Sequence, residues 1–571
     1  MYAEKPWLKF YDPHVPPSLE YPTTPLPIAL AETARRCPDH PALIFKGNVL
    51  TYRQYNELVD RFAAALQDLG VAKGDRVAIH LPNCPQYPIA FFAVLRCGAI
   101  VVPCNPVYTA RELKHQLADS GAETIITLSS TYAVVRQAMS ETRPESGVRL
   151  RRVIVTRIKT FFPPLLRLLF TLLREKKMGH RLSLAGAADA MWFEDLIARS
   201  AGKIPKPVDI GLEDTAILLY TGGTTGISKA AELTHRNILA NAYQVLVWAK
   251  IEERSDSILA VLPLFHSYGM TTCMTTGALK ANTAVMIPDP RDTRDILESI
   301  HKYQPKHYPG VPAMYVAINN HPEVHKYNLR SLKACVSGAA PLPVEVQQRF
   351  QELTGARLVE GYGLSEASPI THSNPLYGDN RIGTIGLPWP DTEARIVDAE
   401  TGERILPPGE IGELVVRGPQ VMRGYWNMPT ETANALRPDP DGGLPWLHTG
   451  DLATMDEDGY FRIVDRKKDM ILGAGGFNIY PREIEDVLYE HPKVREAAAV
   501  GVYVPEKGQR VKVFIVLKEG ESATEEEIIE FCKERLAPYK VPKMVEFRQQ
   551  LPKSMVGKIL RRALVEEERS K

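Results

Sequence analysis

The sequence has no long hydrophobic run, no excess of either charge, few cysteines and no internal repeat. Its 571 residues carry 69 lysines and arginines against 68 aspartates and glutamates. A general nucleic-acid binder needs an excess of positive charge to neutralise phosphates, so we do not expect nucleic acid as a partner. The absence of a repeat with a period of about 20–50 residues excludes solenoids and propellers.

The cysteines are few and scattered, and none forms a C-x-x-C pair or has metal-ligand spacing. They are Cys37, Cys84, Cys97, Cys104, Cys273, Cys335 and Cys532. This pattern argues against a disulfide framework and favours buried, reduced thiols. The first residues also lack the apolar stretch of a secretory signal. We therefore expect a cytoplasmic protein.

The chain is long enough for more than one domain. Residues 1–50 are rich in proline and predict an extended lead-in. Helical spacing over residues 55–69 then alternates with short apolar strands at 76–80 and 125–128, which is typical of layered α/β architecture with mostly parallel sheets. We predict a large N-terminal domain of mixed sheets and helices (1–465), a hinge (466–470) and a small, mobile α+β C-terminal domain (471–571).

The predicted small domain has its own pattern of elements. Residues 483–490 and 524–536 have helical spacing, whereas 497–502 and 511–517 have the composition of strands. Thr524 and Glu527 have the spacing of a capping box. The charge run from Asp465 to Asp469 suits an exposed hinge.

A basic segment at residues 149–181 departs from the even charge of the chain. It holds ten lysines and arginines against the single acid Glu175. After a double proline, leucines at 165, 168, 169, 172 and 173 would share one helical face. The run is too short to cross a bilayer, so an in-plane helix on an anionic membrane, through residues 157–181, is one interpretation. The alternative is a helix packed on the protein's own surface.

A loop of glycines and threonines follows a predicted buried strand at 216–220, in the stretch AILLYTGGTTGISKAAELTH, and leads toward a helix that begins near Thr234. Backbone N–H groups, the hydroxyls of Thr221, Thr224 and Thr225, and the charge of Lys229 would suit the phosphates of a nucleotide. The glycine-to-lysine spacing is not that of a Walker A loop, so P-loop chemistry does not follow. An ordinary glycine-rich strand–helix turn is the alternative.

This loop resembles the phosphate-binding signature of the adenylate-forming superfamily, which includes acyl-CoA synthetases, luciferases and peptide-synthetase adenylation domains. Seven further stretches resemble that superfamily in the same order along the chain: LPLFHSYG at Leu262, VSGAAPL at Val336, EGYGLSEASP at Glu360, HTGD at His448, DRKKDMI at Asp465, GGFNIYPREIE at Gly475 and LPKSMVGKILRR at Leu551. The last two are most similar to bacterial long-chain fatty-acid–CoA ligases.

The resemblance implies a nucleotide site with assigned roles. Tyr362 would stack on adenine, Asp451 and Arg466 would hold the ribose, and Glu366 with Thr221 would hold Mg²⁺, for which a hard carboxylate oxygen is suited. The remaining ATP-binding positions that it implies are Gly222, Gly223, Thr224, Thr225, Gly226, Lys229, Ser337, Gly338, Ala339, Gly361, Gly363 and Ser365. Two positions depart from the usual pattern: Ala230 stands where glycine is usual and Ser365 where threonine is common.

The resemblance also implies residues for the acyl and thiol chemistry. Lys558, carried by the small domain, would supply positive charge between the carboxylate and the α-phosphate. His266 would lie beside the carboxylate and the thiol entrance, Gly475 and Gly476 would line the path of coenzyme A, and Lys468 would be the hinge residue. From the residues alone, a core histidine and a solvated lysine are the alternatives for His266 and Lys558.

The implied activity is a fatty-acid–CoA ligase that uses ATP, Mg²⁺ and coenzyme A. The acid would first become acyl-AMP, with loss of pyrophosphate, and coenzyme A would then take the acyl group and release AMP. A long-chain acid is favoured, while medium-chain and aromatic acids stay open. The alternative classes are a carrier-loading adenylation domain, a luciferase-type oxygenase and a non-catalytic nucleotide sensor. The oligomeric state is open, with a homodimer as one alternative.

Overall fold

A computed structural model describes residues 2–140, 150–221, 228–440, 442–472, 478–504, 508–553 and 559–570. The strands are β1 Pro41–Phe45, β2 Asn48–Thr51, β3 Arg76–His80, β4 Ile100–Pro103, β5 Thr124–Leu128, β6 Arg152–Thr156, β7 Ala190–Trp192, β8 Thr215–Thr221, β9 Lys229–Thr234, β10 Ser257–Ala260, β11 Thr283–Met286, β12 His307–Gly310, β13 Ala334–Ser337, β14 Arg357–Gly363, β15 Ile370–Ser373, β16 Leu387–Pro388, β17 Glu393–Val397, β18 Gly412–Arg417, β19 Gly424–Tyr425, β20 Leu436–Arg437, β21 Trp446–Met455, β22 Phe461–Arg466, β23 Ile471–Leu472, β24 Asn478–Ile479, β25 Val494–Val504, β26 Gly508–Leu517 and β27 Met544–Phe547.

The helices pack around these strands. They are α1 Leu26–Arg36, α2 Tyr52–Asp68, α3 Gln86–Arg96, α4 Ala110–Ser120, α5 Tyr132–Ser140, α6 Pro164–Leu173, α7 Phe193–Arg199, α8 His235–Trp248, α9 Ser267–Gly269, α10 Thr276–Lys280, α11 Thr293–Tyr303, α12 Pro312–Asn319, α13 Val344–Thr354, α14 Pro429–Ala435, α15 Pro481–Tyr489, α16 Glu525–Lys533 and α17 Arg561–Arg569. A π-helical turn, Met270–Thr275, joins α9 to α10.

Two large sheets dominate the first part of the chain. Sheet A has the strand order β16-β15-β14-β13-β12-β10-β11-β1-β2, and sheet B has the order β19-β9-β8-β4-β3-β5-β6-β7. The central strands of both sheets are parallel. Antiparallel strands close both edges of sheet A and the β19 edge of sheet B, whereas β7, at the other edge of sheet B, pairs parallel with β6. Strands β17, β18, β20, β21 and β22 form a smaller antiparallel sheet, sheet C.

A single large hydrophobic cluster joins these sheets through the helices between them. Helix α2 begins with a capping box in which Thr51 and Gln54 satisfy each other's backbone N–H groups. Helix α3 is buried from Gln86 to Leu95, as expected for a helix that is apolar on nearly every side. All seven cysteines are free and buried, which confirms the predicted thiols.

The residues after Asp469 form separate sheets and separate hydrophobic clusters. Strands β25, β26 and β27 make a three-stranded sheet, and β23 pairs with β24. Their apolar side chains pack with α15, α16 and α17 rather than with the main cluster. The predicted fold class is confirmed, and the boundaries of the predicted domains stay a prediction that these clusters support.

Two predicted features differ from the structure. The lead-in is extended only in part, because 3-10 helical turns occupy Tyr2–Glu4 and Pro6–Phe10 and because α1, β1 and β2 occupy much of residues 26–51. Pro25 and Pro27 fall at the start of α1, where a missing N–H costs nothing, so proline there begins a helix. The glycine-rich loop does not lead directly to a helix: strand β9 comes first and pairs antiparallel with β8, and α8 then begins after Thr234, as predicted.

Helix α6, in the basic segment, is exposed along its whole length. None of its residues is buried, and Leu165, Leu172 and Leu173 are 70%, 71% and 69% exposed. Phe170 fixes the helix to the protein through ring contacts with Phe162 and His180. In the described part of the chain, no helix has the length and apolarity that a membrane crossing requires.

Candidate active site

Three side chains that the sequence predicts for the nucleoside meet between sheet A and sheet C. The Tyr362 hydroxyl donates a hydrogen bond to Asp451 Oδ2 at 2.5 Å. Arg466 Nε lies 2.6 Å from the other carboxylate oxygen of Asp451. Asp451 is only 2% exposed, so its charge is held by two partners, as a buried carboxylate requires. Burial, reinforced by Asp451, raises the pKa of the Tyr362 phenol well above its ordinary value.

The strands explain why these residues converge. Tyr362 lies near the end of β14, opposite His372 of β15. Asp451 and Arg466 are direct partners across β21 and β22, a spacing at which opposite charges interact. The chain therefore brings together residues that are about ninety positions apart.

The turn that follows β14 requires glycine at Gly363. A Cβ atom there would lie 2.2 Å from the carbonyl oxygen of Pro369, well inside van der Waals contact. In the neighbouring loop after β13, Ala339 has a φ of 69°, a left-handed conformation that is uncommon for a residue with a side chain. Such backbone conformations concentrate at ligand sites.

Ser337 offers an unused polar group beside this turn. Its side chain is fully buried, and its hydroxyl forms no hydrogen bond with the residues that the structure describes. A buried hydroxyl without a partner costs free energy, about 1–3 kcal/mol. The loop that carries Ser337, Gly338 and Ala339 is thus able to offer a ligand a hydrogen bond.

The second part of the site lies at the loop end of the β8–β9 hairpin. Thr221 and Lys229 are cross-strand partners at the end of the pairing, and the Ser228 hydroxyl closes the end by donating to the Thr221 carbonyl at 2.6 Å. Lys229 pairs with Glu431, and its ammonium lies 5.3 Å from the centre of the Tyr425 ring. A cation is therefore held at the base of the predicted phosphate loop.

Tyr425 connects this cation to Glu366. Its hydroxyl donates to Glu366 Oε1 at 2.8 Å, and strand β19, which carries it, pairs with β9. Burial raises the pKa of Tyr425 above its ordinary value, so the phenol keeps its proton. Glu366 follows Tyr362 by four residues, in the short turn Ser365–Ala367. The nucleoside and phosphate parts of the site are thus adjacent.

Glu366 and its surroundings fit a magnesium ion that would be bound by the carboxylate and by phosphate oxygens together. Mg²⁺ is usually bound by one or two carboxylates together with substrate phosphate oxygens and water, rather than by a complete protein cage. One oxygen of Glu366 accepts from Tyr425, and a carboxylate has further lone pairs to offer. Within the described ranges, no group of three or more histidines, cysteines or acids is placed to hold a metal by itself.

His266 lies on the other side of the Ser337 loop. Its Nδ1 accepts the Tyr268 backbone N–H at 3.2 Å, which caps α9. The Tyr268 hydroxyl donates to the carbonyl of Val336 at 2.9 Å, and a Cβ on Gly338 would lie 3.0 Å from the Tyr268 ring. Tyr268 therefore joins the His266 segment to the predicted adenine slot.

An apolar cavity of about 50 Å³ lies behind Tyr268, on the face of sheet A that α8 covers. Its walls include Trp248, Val336, Ile370 and Trp389, and the two indole rings stack 5.6 Å apart. Pockets for small organic ligands are typically about 300–1,000 Å³. A hydrophobic chain would therefore need the walls to move apart.

The structure brings together most of the described residues that the sequence assigns to the nucleotide. Thr221, Lys229, Ser337, Gly338, Ala339, Gly361, Tyr362, Gly363, Ser365, Glu366, Asp451 and Arg466 lie around the two parts of the site, with His266 near them and Lys468 in the connection to the small domain. Gly222, Gly223, Thr224, Thr225, Gly226, Gly475, Gly476 and Lys558 lie outside the described residues, and their roles stay predictions.

Sequence reasoning missed Tyr425, Glu431 and Tyr268. Tyr425 is 59 positions from Glu366, and Glu431 is 202 positions from Lys229. No local pattern signals contacts over such distances. Tyr268 lies inside the LPLFHSYG stretch, two residues after His266. No pattern in that stretch distinguishes it from a tyrosine that packs in the core.

Comparisons with known proteins agree with this geometry. A family model described as AMP-binding enzyme matches residues 30–426, and one described as AMP-binding enzyme C-terminal domain matches residues 483–558. A long-chain-fatty-acid–CoA ligase from Bacillus subtilis is 44% identical, with 100% of this chain and 99% of that protein covered. The enzyme of the same name from Escherichia coli O157:H7 is 41% identical, with coverage of 100% and 99%. The crystal structure of the anthranilate CoA ligase AuaEII with anthranoyl-AMP superposes with a TM-score of 0.82 at 25% identity, covering 97% of this chain and 98% of that one.

Proposed function

The chain belongs to the AMP-binding enzyme family, and from that premise we propose that it is a long-chain-fatty-acid–CoA ligase. In the first half-reaction, a carboxylate oxygen attacks the α-phosphorus of ATP, the bond to the β-phosphate breaks, and acyl-AMP and pyrophosphate form. In the second, the thiol of coenzyme A loses its proton and attacks the acyl carbonyl, and AMP leaves. The name shared by the similar proteins from Bacillus subtilis and Escherichia coli supports this assignment.

One observation of the structure supports the proposal: Tyr268 separates an apolar cavity from the residues that we predict to bind the nucleotide. Tyr268 lines the cavity and donates to Val336, the residue before Ser337 in the predicted adenine slot. An acid whose chain enters the cavity would present its carboxylate beside His266 and the predicted α-phosphate position. Holding two reactants in this way is the main contribution that such a reaction needs from the protein.

Different residues would bind the ribose, the phosphates and the magnesium ion of Mg-ATP. Asp451 is placed to accept the ribose hydroxyls, with Arg466 and Tyr362 holding its carboxylate in position. Lys229 and Thr221 stand at the base of the phosphate loop. Glu366, with Thr221, would bind Mg²⁺, which when bound neutralises phosphate charge and polarises the phosphoryl oxygens. Tyr425 orients the Glu366 carboxylate by its hydrogen bond.

Lys558, His266, Gly475 and Gly476 complete the assignment, and for these positions the resemblance is the support. Lys558 would place a fixed positive charge between carboxylate and α-phosphate, which stabilises the charge that develops there. Gly475 and Gly476 would leave room for the arm of coenzyme A. The small domain, turning about Lys468, would present Lys558 in one half-reaction and the two glycines in the other.

The acyl group is the part of the substrate that an experiment has to identify. We propose a long chain because each buried methylene contributes about 0.8 kcal/mol and because the cavity walls are apolar. The test is to supply ATP, coenzyme A and acids of graded chain length, together with benzoate and anthranilate, and to measure AMP and thioester. Preference for hexadecanoate over octanoate and both aromatic acids is expected. A preference for an aromatic acid would replace the long-chain assignment.

We also propose that α6 binds the surface of an anionic membrane, from which long-chain acids are taken. The exposed leucines of α6 give it an apolar face. Arg167, Arg174, Lys176, Lys177 and Arg181 form no ion pair with other described residues, whereas Lys159 is neutralised by Glu175. An exposed apolar face flanked by unneutralised cations matches the acyl layer and the headgroups of an anionic bilayer.

A further inference from the structure

A buried cluster of charges outside the nucleotide site surrounds Arg561, the first residue of α17. The Arg561 guanidinium donates to both carboxylate oxygens of Glu485, with a distance of 2.9 Å from Nε to Oε1. Its Nη1 lies 3.5 Å from Asp465 Oδ1 and 3.4 Å from Asp469 Oδ2. Three carboxylates therefore converge on one side chain that is only 21% exposed.

These carboxylates belong to different parts of the chain. Asp465 lies in β22 of sheet C, and its Oδ2 accepts the Arg482 backbone N–H at the start of α15, at 2.7 Å. Glu485 lies within α15 and also accepts the Ala499 N–H of β25 at 2.8 Å. Arg561 thus connects the last strand of the large domain to the core of the small domain.

The connection depends on the orientation of the small domain. Asp465 precedes the predicted hinge residue Lys468, whereas Glu485 and Arg561 follow it. Rotation about residues 466–470 leaves the Arg561–Glu485 pair intact because both residues move together. The same rotation separates Arg561 from Asp465. The contact between Arg561 and Asp465 is therefore specific to the orientation that this structure shows.

Sequence position relates this contact both to the nucleotide site and to Lys558. Asp465 immediately precedes Arg466, whose guanidinium holds Asp451. Arg561 follows Lys558, which lies outside the described residues, by three positions. The contact between Arg561 and Asp465 therefore joins residues next in sequence to the predicted ribose site and to the lysine predicted for acid activation.

We propose that Arg561 is a positioning residue that holds the small domain in place for the acid-activating half-reaction and releases Asp465 for the thiol half-reaction. The inference rests on the proposed function, because it assigns the observed orientation to one of its two steps. Arg561 touches neither substrate. It acts by stabilising one of two orientations, and such an element biases an equilibrium only to the extent that its contacts differ between the two states.

The test measures the two half-reactions separately in the full-length protein. Acid-dependent exchange of pyrophosphate into ATP reports activation, and conversion of supplied hexadecanoyl-AMP and coenzyme A to thioester reports transfer. Arg561→Gln should lower exchange about ten-fold or more, the range of typical coupling between sites, and leave transfer within about two-fold. Arg561→Lys, which keeps the charge but loses the fork of donors, should fall between.

Arg562→Gln is the matched control, because Arg562 is the adjacent residue but is 51% exposed, and its ion pair among the described residues is with Glu566, one turn along α17. It should change neither half-reaction. Equal loss of exchange and transfer in folded Arg561→Gln, or no difference between the two glutamine variants, would overturn the proposal. If Arg561→Gln does not fold, Arg561→Lys makes the same comparison. A parent protein that makes no acyl-AMP would instead refute the proposed function, so the two failures are distinguishable.

Discussion

At the scale of single residues, the predicted role of Glu366 as a ligand of Mg²⁺ can be tested by one substitution. Glu366→Gln keeps the shape and the hydrogen bond from Tyr425 but removes the charge that would bind Mg²⁺. Adenylate formation should fall by about 100-fold, the usual cost of losing one preorganised electrostatic contact, and added Mg²⁺ should not restore it. Pyrophosphate exchange over a range of Mg²⁺ concentrations measures the effect.

Glu431→Gln provides the control for that experiment. Glu431 is a nearby carboxylate, but it pairs with Lys229 rather than with the predicted metal position. Its loss should leave exchange intact or lower the KM for ATP, because Lys229 is then available to the phosphates. Near-parental activity of Glu366→Gln would show that the metal assignment is wrong.

Glu360, two residues before Tyr362, makes stability depend on pH. Burial raises its pKa to about 7 from an ordinary value of 4.5, against the opposing effect of Arg482 and a hydrogen bond from Leu342. Because the folded state holds this proton more tightly, the contribution to stability is complete below about pH 4.5 and is lost as the pH rises through 7. The difference of about 2.5 pH units corresponds to roughly 3 kcal/mol.

Glu360→Gln should remove this dependence. The variant should have the same Tm as the parent at pH 4, where Glu360 is mostly protonated in both the folded and the unfolded state, and a higher Tm at pH 8, where only the parent carries a buried charge. Thermal unfolding of both proteins at the two pH values measures the difference. An identical change of Tm with pH in both proteins would refute the role of Glu360.

Site residues within the stretches that resemble the superfamily were predictable from the sequence, whereas the residues that contact them were not. Tyr362, Asp451 and Arg466 each stand in a recognisable sequence context, and the structure places them in contact. Tyr425 and Glu431 reach the site because β19 pairs with β9. Their contacts depend on strand pairing between distant segments, which periodicity along the chain does not encode.

At the scale of elements, α6 carries a prediction about membranes. Leu165, Leu172 and Leu173 bury little on the protein, so replacing all three by serine should not destabilise the fold. Full burial of a leucine contributes about 1.5–3 kcal/mol, so even partial insertion of three should make binding to vesicles with anionic lipid more than about ten-fold stronger in the parent. Flotation of parent and variant with such vesicles measures this.

Two further sets of variants test whether the binding depends on α6 and on its positive charges. Ile204→Ser removes an apolar side chain that is 84% exposed but lies outside α6, and it should float like the parent. Replacing Arg174, Lys176, Lys177 and Arg181 by glutamate should abolish binding, and high salt should weaken binding by the parent. No flotation of the parent, or equal flotation of all variants, would show that α6 is not a membrane-binding surface.

Helices and strands with a clear hydrophobic pattern were predicted correctly. Those whose structure depends on tertiary contacts were missed. Strand β3 has the predicted bounds, and α2 differs from the predicted helix by a few residues at its start. Thr524 caps α16 by accepting the Glu527 N–H. Strand β9 was missed because its alanines have low strand propensity, and it exists through pairing with β8 and β19. Helix α1 was missed because prolines at a helix start resemble those of an extended segment.

At the scale of the whole molecule, the sequence predicted the division into a large α/β part and a small α+β part, and the separate hydrophobic clusters agree with it. It did not predict how the two parts meet. The contacts of Arg561 with Asp465 span 96 positions, and they depend on one orientation of the small domain. Such contacts depend on how the two folded parts are oriented, which local sequence patterns do not encode.

The proposed mechanism requires the protein to activate a long-chain acid as an adenylate before coenzyme A takes part. The most direct test is exchange of labelled pyrophosphate into ATP by the parent protein, with hexadecanoate and Mg²⁺ but without coenzyme A. The exchange should require the acid, and AMP rather than ADP should be the product when coenzyme A is then added. Exchange that needs coenzyme A, or release of ADP and phosphate, would contradict an acyl-adenylate intermediate and with it the proposed mechanism.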